Sequence, residues 1–120
     1  MKKALIIDDD PMIAKTVGAV LQSADFEVHV GRDGTEGLAL AERIQPDLVV
    51  VDMMMPRRSG FLVIEALRQE QKFPCRIIMI TANEGSRHQK YAQELGVDAY
   101  LLKPFTMELF LQTVDKVMKL

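Results

Sequence analysis

Five side chains suited to phosphate and metal chemistry follow short apolar runs that lie far apart in the chain. Asp8 and Asp9 follow Leu5-Ile6-Ile7, and Asp52 follows Leu48-Val49-Val50-Val51. Thr81 follows Ile77-Ile78-Met79-Ile80, and Lys103 follows Tyr100-Leu101-Leu102. Gathered in one place, they would supply three carboxylates, a hydroxyl and an ammonium. Packed carboxylates repel, and each raises the pKa of the next unless a cation intervenes. Oxygen ligands with spare room suit Mg²⁺, which keeps several waters and takes one or two protein carboxylates plus phosphate oxygens. A carboxylate beside such an ion and a lysine can attack phosphorus, because the cations neutralise charge building on the equatorial oxygens. Carboxylate nucleophiles carry the group as an aspartyl phosphate. The chemistry indicated is phosphoryl transfer to an aspartate.

Taken singly, each residue has a plainer reading. Acids after a buried strand often cap the next helix, as Asp10 does before Pro11, and Asp8 and Asp9 alone fit capping or solvation equally well. Asp52 alone reads as structural, Thr81 as a strand or cap residue, and Lys103 as a surface lysine. The decision rests on whether the fold brings them to one edge.

The elements that would do so alternate regularly. Apolar runs rich in β-branched residues occupy residues 4–7, 27–31, 48–51, 76–81 and 99–103. Three are nearly continuous hydrophobes, the mark of strands buried on both faces of a parallel sheet. Val28 and Val30 alternate with polar neighbours, which predicts an edge strand. Between the strands lie helical stripes. Asp10 caps the first, with Pro11 at its opening position and Ile13, Val17, Val20, Leu21 and Ala24 in phase. Asp33 caps a second through Leu38, Ala41 and Ile44, ending before Pro46. Val63, Ile64 and Leu67 form a third. Ala92 and Leu95, with Tyr91 beside them, form a weaker fourth closed by Gly96. Thr106 caps a fifth through Phe110, Val114, Val117 and Met118. Five βα units with right-handed crossovers make a doubly wound α/β domain, in which ligands bind beyond the carboxyl ends of the strands. All five chemical residues fall there; the second strand, ending in Gly31-Arg32, contributes no comparable group.

Size and charge fit this reading and exclude others. A chain of 120 residues makes one domain with a real core. A net charge of −2 lacks the basic excess of a nucleic-acid surface. No apolar run reaches a membrane span, and Asp8-Asp9-Asp10 cut short anything resembling a signal peptide. The single Cys75 cannot form an internal disulfide, which suits a reducing, cytoplasmic setting. His29 and His88 lack metal-ligand spacing, and the eight methionines read as core and loop packing rather than a pliable binding surface.

The sequence resembles the receiver domains of two-component response regulators over nearly its whole length. The matching pieces are Leu5-Ile6-Ile7-Asp8-Asp9-Asp10-Pro11, Asp52-Met53-Met54-Met55-Pro56 with Gly60, Thr81-Ala82, and Gly96 followed by Tyr100-Leu101-Leu102-Lys103-Pro104-Phe105. The resemblance implies a flavodoxin-like (βα)5 fold over residues 1–120, with strand order 2-1-3-4-5. It implies Asp52 as phosphoacceptor and Mg²⁺, for which Mn²⁺ can substitute, held by Asp9 directly, Asp8 through water, Asp52, and the Met54 backbone carbonyl. Thr81, the Ala82 N–H and Lys103 would bind the phosphoryl group. Pro104 would follow a cis bond, and Tyr100 would turn inward when Thr81 shifts. Met54 and Asn83 fall at positions that tune phosphoryl lifetime, and an intermediate lifetime is expected. The implied partners are a histidine kinase or histidine phosphotransfer protein, and an output domain or downstream protein reading the surface of the fourth helix, fifth strand and fifth helix. Direct nucleic-acid or membrane contact is not expected of this domain. It would catalyse its own phosphorylation and dephosphorylation without being a turnover enzyme.

Two positions depart from the commonest pattern. Arg57 and Arg58 follow Pro56, where an apolar residue is frequent at the second. Ala99 stands where one transcriptional subgroup often has an acid used in dimer pairing, so that dimer is not expected. Two other functions compete. An aspartate-nucleophile Mg²⁺-dependent phosphatase would want a second acid two residues past Asp52, where this chain has Met54. A nucleotide or flavin domain would want a Gly- or Ser/Thr-rich phosphate loop after the first strand, where Asp8-Asp9-Asp10 would repel phosphate.

Overall fold

The computed structural model describes residues 1–53, 55, 59–70, 74–82 and 86–120. Met54 and Asn83 lie outside the described residues, as do Pro56, Arg57, Arg58 and the His88 side chain. The strands are β1 (Lys2–Ile7), β2 (Phe26–Gly31), β3 (Leu48–Asp52), β4 (Arg76–Thr81) and β5 (Ala99–Leu102). The helices are α1 (Pro11–Ser23), α2 (Gly34–Ile44), α3 (Gly60–Glu65), α4 (Ser86–Leu95) and α5 (Met107–Met118). The sheet is parallel in the order β2-β1-β3-β4-β5, as expected, with β2 and β5 at its edges. Val30, on the β2 edge, is 40% exposed.

Both faces of the sheet are buried, which explains the unbroken apolar runs. Leu5, Ile7, Val49, Val51 and Met79 pack with Leu38, Ala41, Val63, Ile64 and Ala92. Ala4, Ile6, Val50, Ile78 and Ile80 pack on the other side with Val17, Leu21, Phe110, Val114 and Val117. Each large side chain so buried stabilises the fold by roughly 1.5–3 kcal/mol.

The helix starts follow the sequence signals. Asp10 accepts the Met12 N–H at 2.9 Å, Asp33 the Glu36 N–H at 2.9 Å, and Thr106 the Leu109 N–H at 3.0 Å. Gly96 adopts φ +100°, as its place after α4 requires. Several features differ from expectation or add to it: β3 runs on to Asp52, and β5 stops at Leu102, one residue before Lys103. β1 starts at Lys2 and β2 at Phe26, because the ladder pairs backbones and extends past the apolar run. Ser59 caps α3, accepting from the Leu62 N–H at 3.4 Å. Finally, α3 runs on into a π-helical turn, Ala66–Glu70, which carries Leu67 and Arg68.

Gly60 opens α3 directly behind the end of β3, donating its N–H to the Met53 carbonyl at 2.9 Å. A Cβ here would clash with the Asp52 carbonyl oxygen and stand 2.8 Å from Met53 Cα, both backbone atoms that cannot swing aside. Gly60→Ala is therefore expected to destabilise the protein by roughly 1–3 kcal/mol, the usual scale of overpacking. Urea unfolding measures this; a midpoint equal to wild type would refute it.

Candidate functional site

The strand order sets the site. β1 and β3 lie side by side at the centre, with β4 beyond β3 and β5 at the edge, so their carboxyl ends form one continuous rim. Asp52 is the last residue of β3 and Thr81 the last of β4; Asp8 follows β1 directly, and Lys103 follows β5. Lys103 is held by its N–H, which donates to the Thr81 carbonyl at 2.7 Å, and the Lys103–Pro104 bond behind it is cis, as expected. Phe105 then stacks on the fully buried Phe110 at a centroid distance of 5.8 Å, fixing the loop to the core.

Carboxylate oxygens of Asp8, Asp9 and Asp52 lie within 4.8 Å of one another. Asp8 and Asp52 are buried, whereas Asp9 is exposed at the rim. Lys103 Nζ stands 3.5 Å from Asp52 Oδ2 and 3.7 Å from Asp8 Oδ2. The five residues read from strand ends are thus brought to one rim, with the three acids in mutual range and the amine within reach of Asp8 and Asp52. The plainer reading of Asp8 as a helix cap fails, because that role belongs to Asp10. Asp8 Oδ1 instead accepts the Asp10 N–H at 2.9 Å. Asp8 Oδ2 is buried and accepts no hydrogen bond, and the Lys103 ammonium is too distant to donate one.

Burial pushes the Asp8 carboxyl up from 3.8 to about 6; the Asp10 N–H opposes this, the Asp52 charge adds to it, and Lys103 opposes it again. A buried acid whose Oδ2 accepts no hydrogen bond, clustered with two other acids, makes a donor set in which three carboxyls face one ammonium. A divalent ion with oxygen preference fits that donor set. A cavity of about 770 Å³ lined by Asp8, Asp9, Pro11, Ala14, Val30, Arg32 and Glu36 opens beside it.

Thr81 is fully buried. Ala82, which follows it out of β4, is exposed. Tyr100 pairs with Met79, and Leu102 with Thr81, so Tyr100 and Thr81 share one face of the sheet on adjacent strands. Tyr100 is half-buried against the core of that face, and burial raises its phenol pKa. The other singled-out residues are ordinary. His29 pairs with Glu27 at 2.7 Å. Cys75 is buried, its thiol pKa raised by burial. Tyr91 is 44% exposed, its ring edge against Phe61. Ser59 and Gly60 hold the segment behind Asp52, Ser59 through its capping hydroxyl and Gly60 through its backbone N–H; Gly60 was visible only as part of a motif and Ser59 not at all.

Among the described residues, no helix is long and apolar enough to cross a membrane. Residues 4–115 match the response regulator receiver domain. The chain is 37% identical over 120 residues to the DNA-binding dual master transcriptional regulator RpaA of Synechocystis, covering 99% of this chain and 50% of that one. It is 38% identical over 105 residues to the alkaline phosphatase synthesis transcriptional regulatory protein PhoP of Bacillus subtilis, covering 88% of this chain and 43% of that one. It therefore spans about half the length of the curated relatives it matches. Its fold superposes on the chemotaxis protein CheY4 of Vibrio cholerae with a TM-score of 0.91, at 32% identity and 98% coverage of both chains. A CheY-like receiver domain protein from Methanospirillum hungatei gives a TM-score of 0.93 at 25% identity, covering 99% of this chain and 94% of that one. With an acidic rim at the sheet's carboxyl edge and a match over residues 4–115, the chain belongs to the response regulator receiver domain family of two-component signalling.

Proposed function

We propose that the protein is a phosphoacceptor switch, taking a phosphoryl group onto Asp52 from the phosphohistidine of a histidine kinase or phosphotransfer protein. The observation that carries this reading is the buried Asp8 Oδ2, which accepts no hydrogen bond, beside Asp52, with the Lys103 ammonium in ion-pair range of both. Asp8, Asp9, Asp52 and the Met54 carbonyl would hold Mg²⁺ or Mn²⁺, which supplies charge neutralisation for the incoming phosphoryl oxygens. The Asp52 carboxylate attacks phosphorus; a P–O bond to Asp52 forms as the P–N bond to the donor imidazole breaks. Lys103 pairs with the new group's oxygens. Thr81 and the Ala82 N–H donate to it. Dephosphorylation at the same rim is a hydrolysis: water attacks phosphorus, the P–O bond to Asp52 breaks, and inorganic phosphate leaves with the Asp52 carboxylate restored. Displacement of Thr81 towards the phosphoryl group would free space that the Tyr100 ring fills, changing the surface of α4, β5 and α5 for an output domain or partner protein. A ligand shifts such an equilibrium only by its differential affinity for the two states.

A phosphatase of the aspartate-nucleophile class gains nothing from the family match, and Met54 in place of its second acid counts against it. Incubation with Mg²⁺ and acetyl phosphate, followed by intact-mass measurement, tests the proposal. One phosphoryl adduct is expected, and none should form when a chelator is present from the start. No adduct at any metal concentration would sink the reading.

A further inference from the structure

The end of the molecule opposite the acidic rim holds a second polar assembly, built on the π-helical turn that extends α3. Arg68, on that turn and only 22% exposed, reaches two segments: the residue before β4 and the connection between α4 and β5. Its Nη1 donates to the Cys75 carbonyl at 2.6 Å, just before β4. Its Nε donates to the Gly96 carbonyl at 3.1 Å, just past α4. Its Nη2 pairs with Asp98 Oδ2 at 3.1 Å, just before β5. The same Asp98 oxygen accepts the Ile77 N–H at 2.8 Å, and the Asp98 N–H donates to the Ile77 carbonyl at 2.8 Å. Gly96 supplies the turn that presents this carbonyl: its φ of +100° suits glycine, and a Cβ there would only touch the Arg68 side chain, at 3.4 Å from Nε.

From this geometry we infer that Arg68 is a positioning residue for signal transmission: it pins the base of the α4–β5 unit, so that changes at the rim are expressed at the opposite, site-facing end of that unit. The inference rests on the proposed switch function and deepens it. The guanidinium is planar, and its donors meet three acceptors on two segments, so it fixes the α4–β5 connection against the start of β4 rather than merely neutralising one charge. It also satisfies a carbonyl at the negative end of α4. The pinned end lies about 17 Å from Thr81, taking roughly 3.3 Å per residue along β4. Arg68 therefore cannot touch the reacting atoms. With the base held, a displacement that starts at Thr81 has to be taken up near Tyr100. With the base released, the unit can absorb it by shifting at 96–98, and the Tyr100 ring loses its drive.

The test compares wild type with Arg68→Met, which keeps the apolar stem and removes every donor, using the whole chain with Mg²⁺. Three readouts are needed: the rate of phosphoryl uptake from acetyl phosphate, amide hydrogen exchange at Val97 and Asp98, and the change in the Tyr100 ring NMR signal on adding beryllium fluoride as a stable phosphoryl stand-in. Uptake should stay within about twofold of wild type, while exchange at Val97 and Asp98 rises about tenfold. The Tyr100 response should shrink by about threefold or more. A Tyr100 response of full amplitude in folded Arg68→Met, even with faster exchange, would overturn the inference, since Arg68 would then only stabilise the fold locally. Should that variant fail to fold, Arg68→Lys and Asp98→Asn replace it, the latter keeping an acceptor for the Ile77 N–H. Both should respond partially, and full responses in both would overturn the inference as well. If wild type takes up no phosphoryl group, the functional reading fails and this inference falls with it; if it does and the variants respond fully, only the inference falls.

Discussion

Asp52→Asn is expected to abolish phosphoryl uptake while leaving the protein folded. Asp52 ends β3, is 6% exposed, and has the Lys103 ammonium 3.5 Å from its Oδ2. The amide matches the carboxylate in shape but is not a nucleophile towards phosphorus at neutral pH. Loss of an essential nucleophile should slow the reaction by on the order of 10³-fold or more. Lys103→Ala separates the roles. The nucleophile remains, but one preorganised cation for the developing charge is gone, so uptake should fall by about 10²-fold without disappearing. Intact-mass time courses with Mg²⁺ and acetyl phosphate read both variants. An adduct in Asp52→Asn at the wild-type rate would place the nucleophile elsewhere, and Asp8 and Asp9 would be the next to replace.

The parts of this site that were legible in the sequence share one property. Each is a strand-end residue whose position follows from the apolar run before it, and a doubly wound sheet sends all carboxyl ends to one rim. Asp8, Asp9, Asp52, Thr81 and Lys103 are of this kind. The caps Asp10, Asp33 and Thr106 were legible for a similar reason, since a capping side chain acts within three residues of itself. Arg68 was not. Its partners Gly96 and Asp98 are 28 and 30 residues away, so nothing in its neighbourhood distinguishes it from a surface arginine on a helix. The π turn beneath it was hidden too, because Val63, Ile64 and Leu67 keep an ordinary helical stripe across it. The raised pKa of Asp8 could be anticipated in direction from three clustered acids. That burial, rather than repulsion, is its largest cause required the three-dimensional arrangement.

That cause has a consequence for stability, and Asp8→Asn should make the metal-free protein more stable at neutral pH. The Asp8 carboxyl sits at about 6 in the folded protein and at 3.8 ordinarily, so the folded form binds its proton more tightly than the unfolded chain does. Between about pH 4 and 6 the folded state therefore holds more proton, and stability falls as pH rises through that window. Above it, the ionised carboxylate carries its full penalty, at most about 3 kcal/mol for a shift of about two units. Asparagine removes that charge at constant shape. Its Oδ1 can still accept the Asp10 N–H that now holds Asp8 Oδ1 at 2.9 Å. Its amide would stand where the orphaned Oδ2 is now and could donate towards the acids beside it. The expected gain is about 1–3 kcal/mol at pH 7 in chelator, shrinking as pH falls below 6. Added Mg²⁺ should narrow the gap from the other side, because an ion bound only by the folded wild type stabilises it in proportion to the logarithm of its concentration. Urea unfolding of both proteins at pH 4.5 and 7, with and without Mg²⁺, resolves the two effects. A variant no more stable than wild type at pH 7 in chelator would mean that the acidic rim carries no electrostatic strain, and that the argument for a cation there has lost its physical basis.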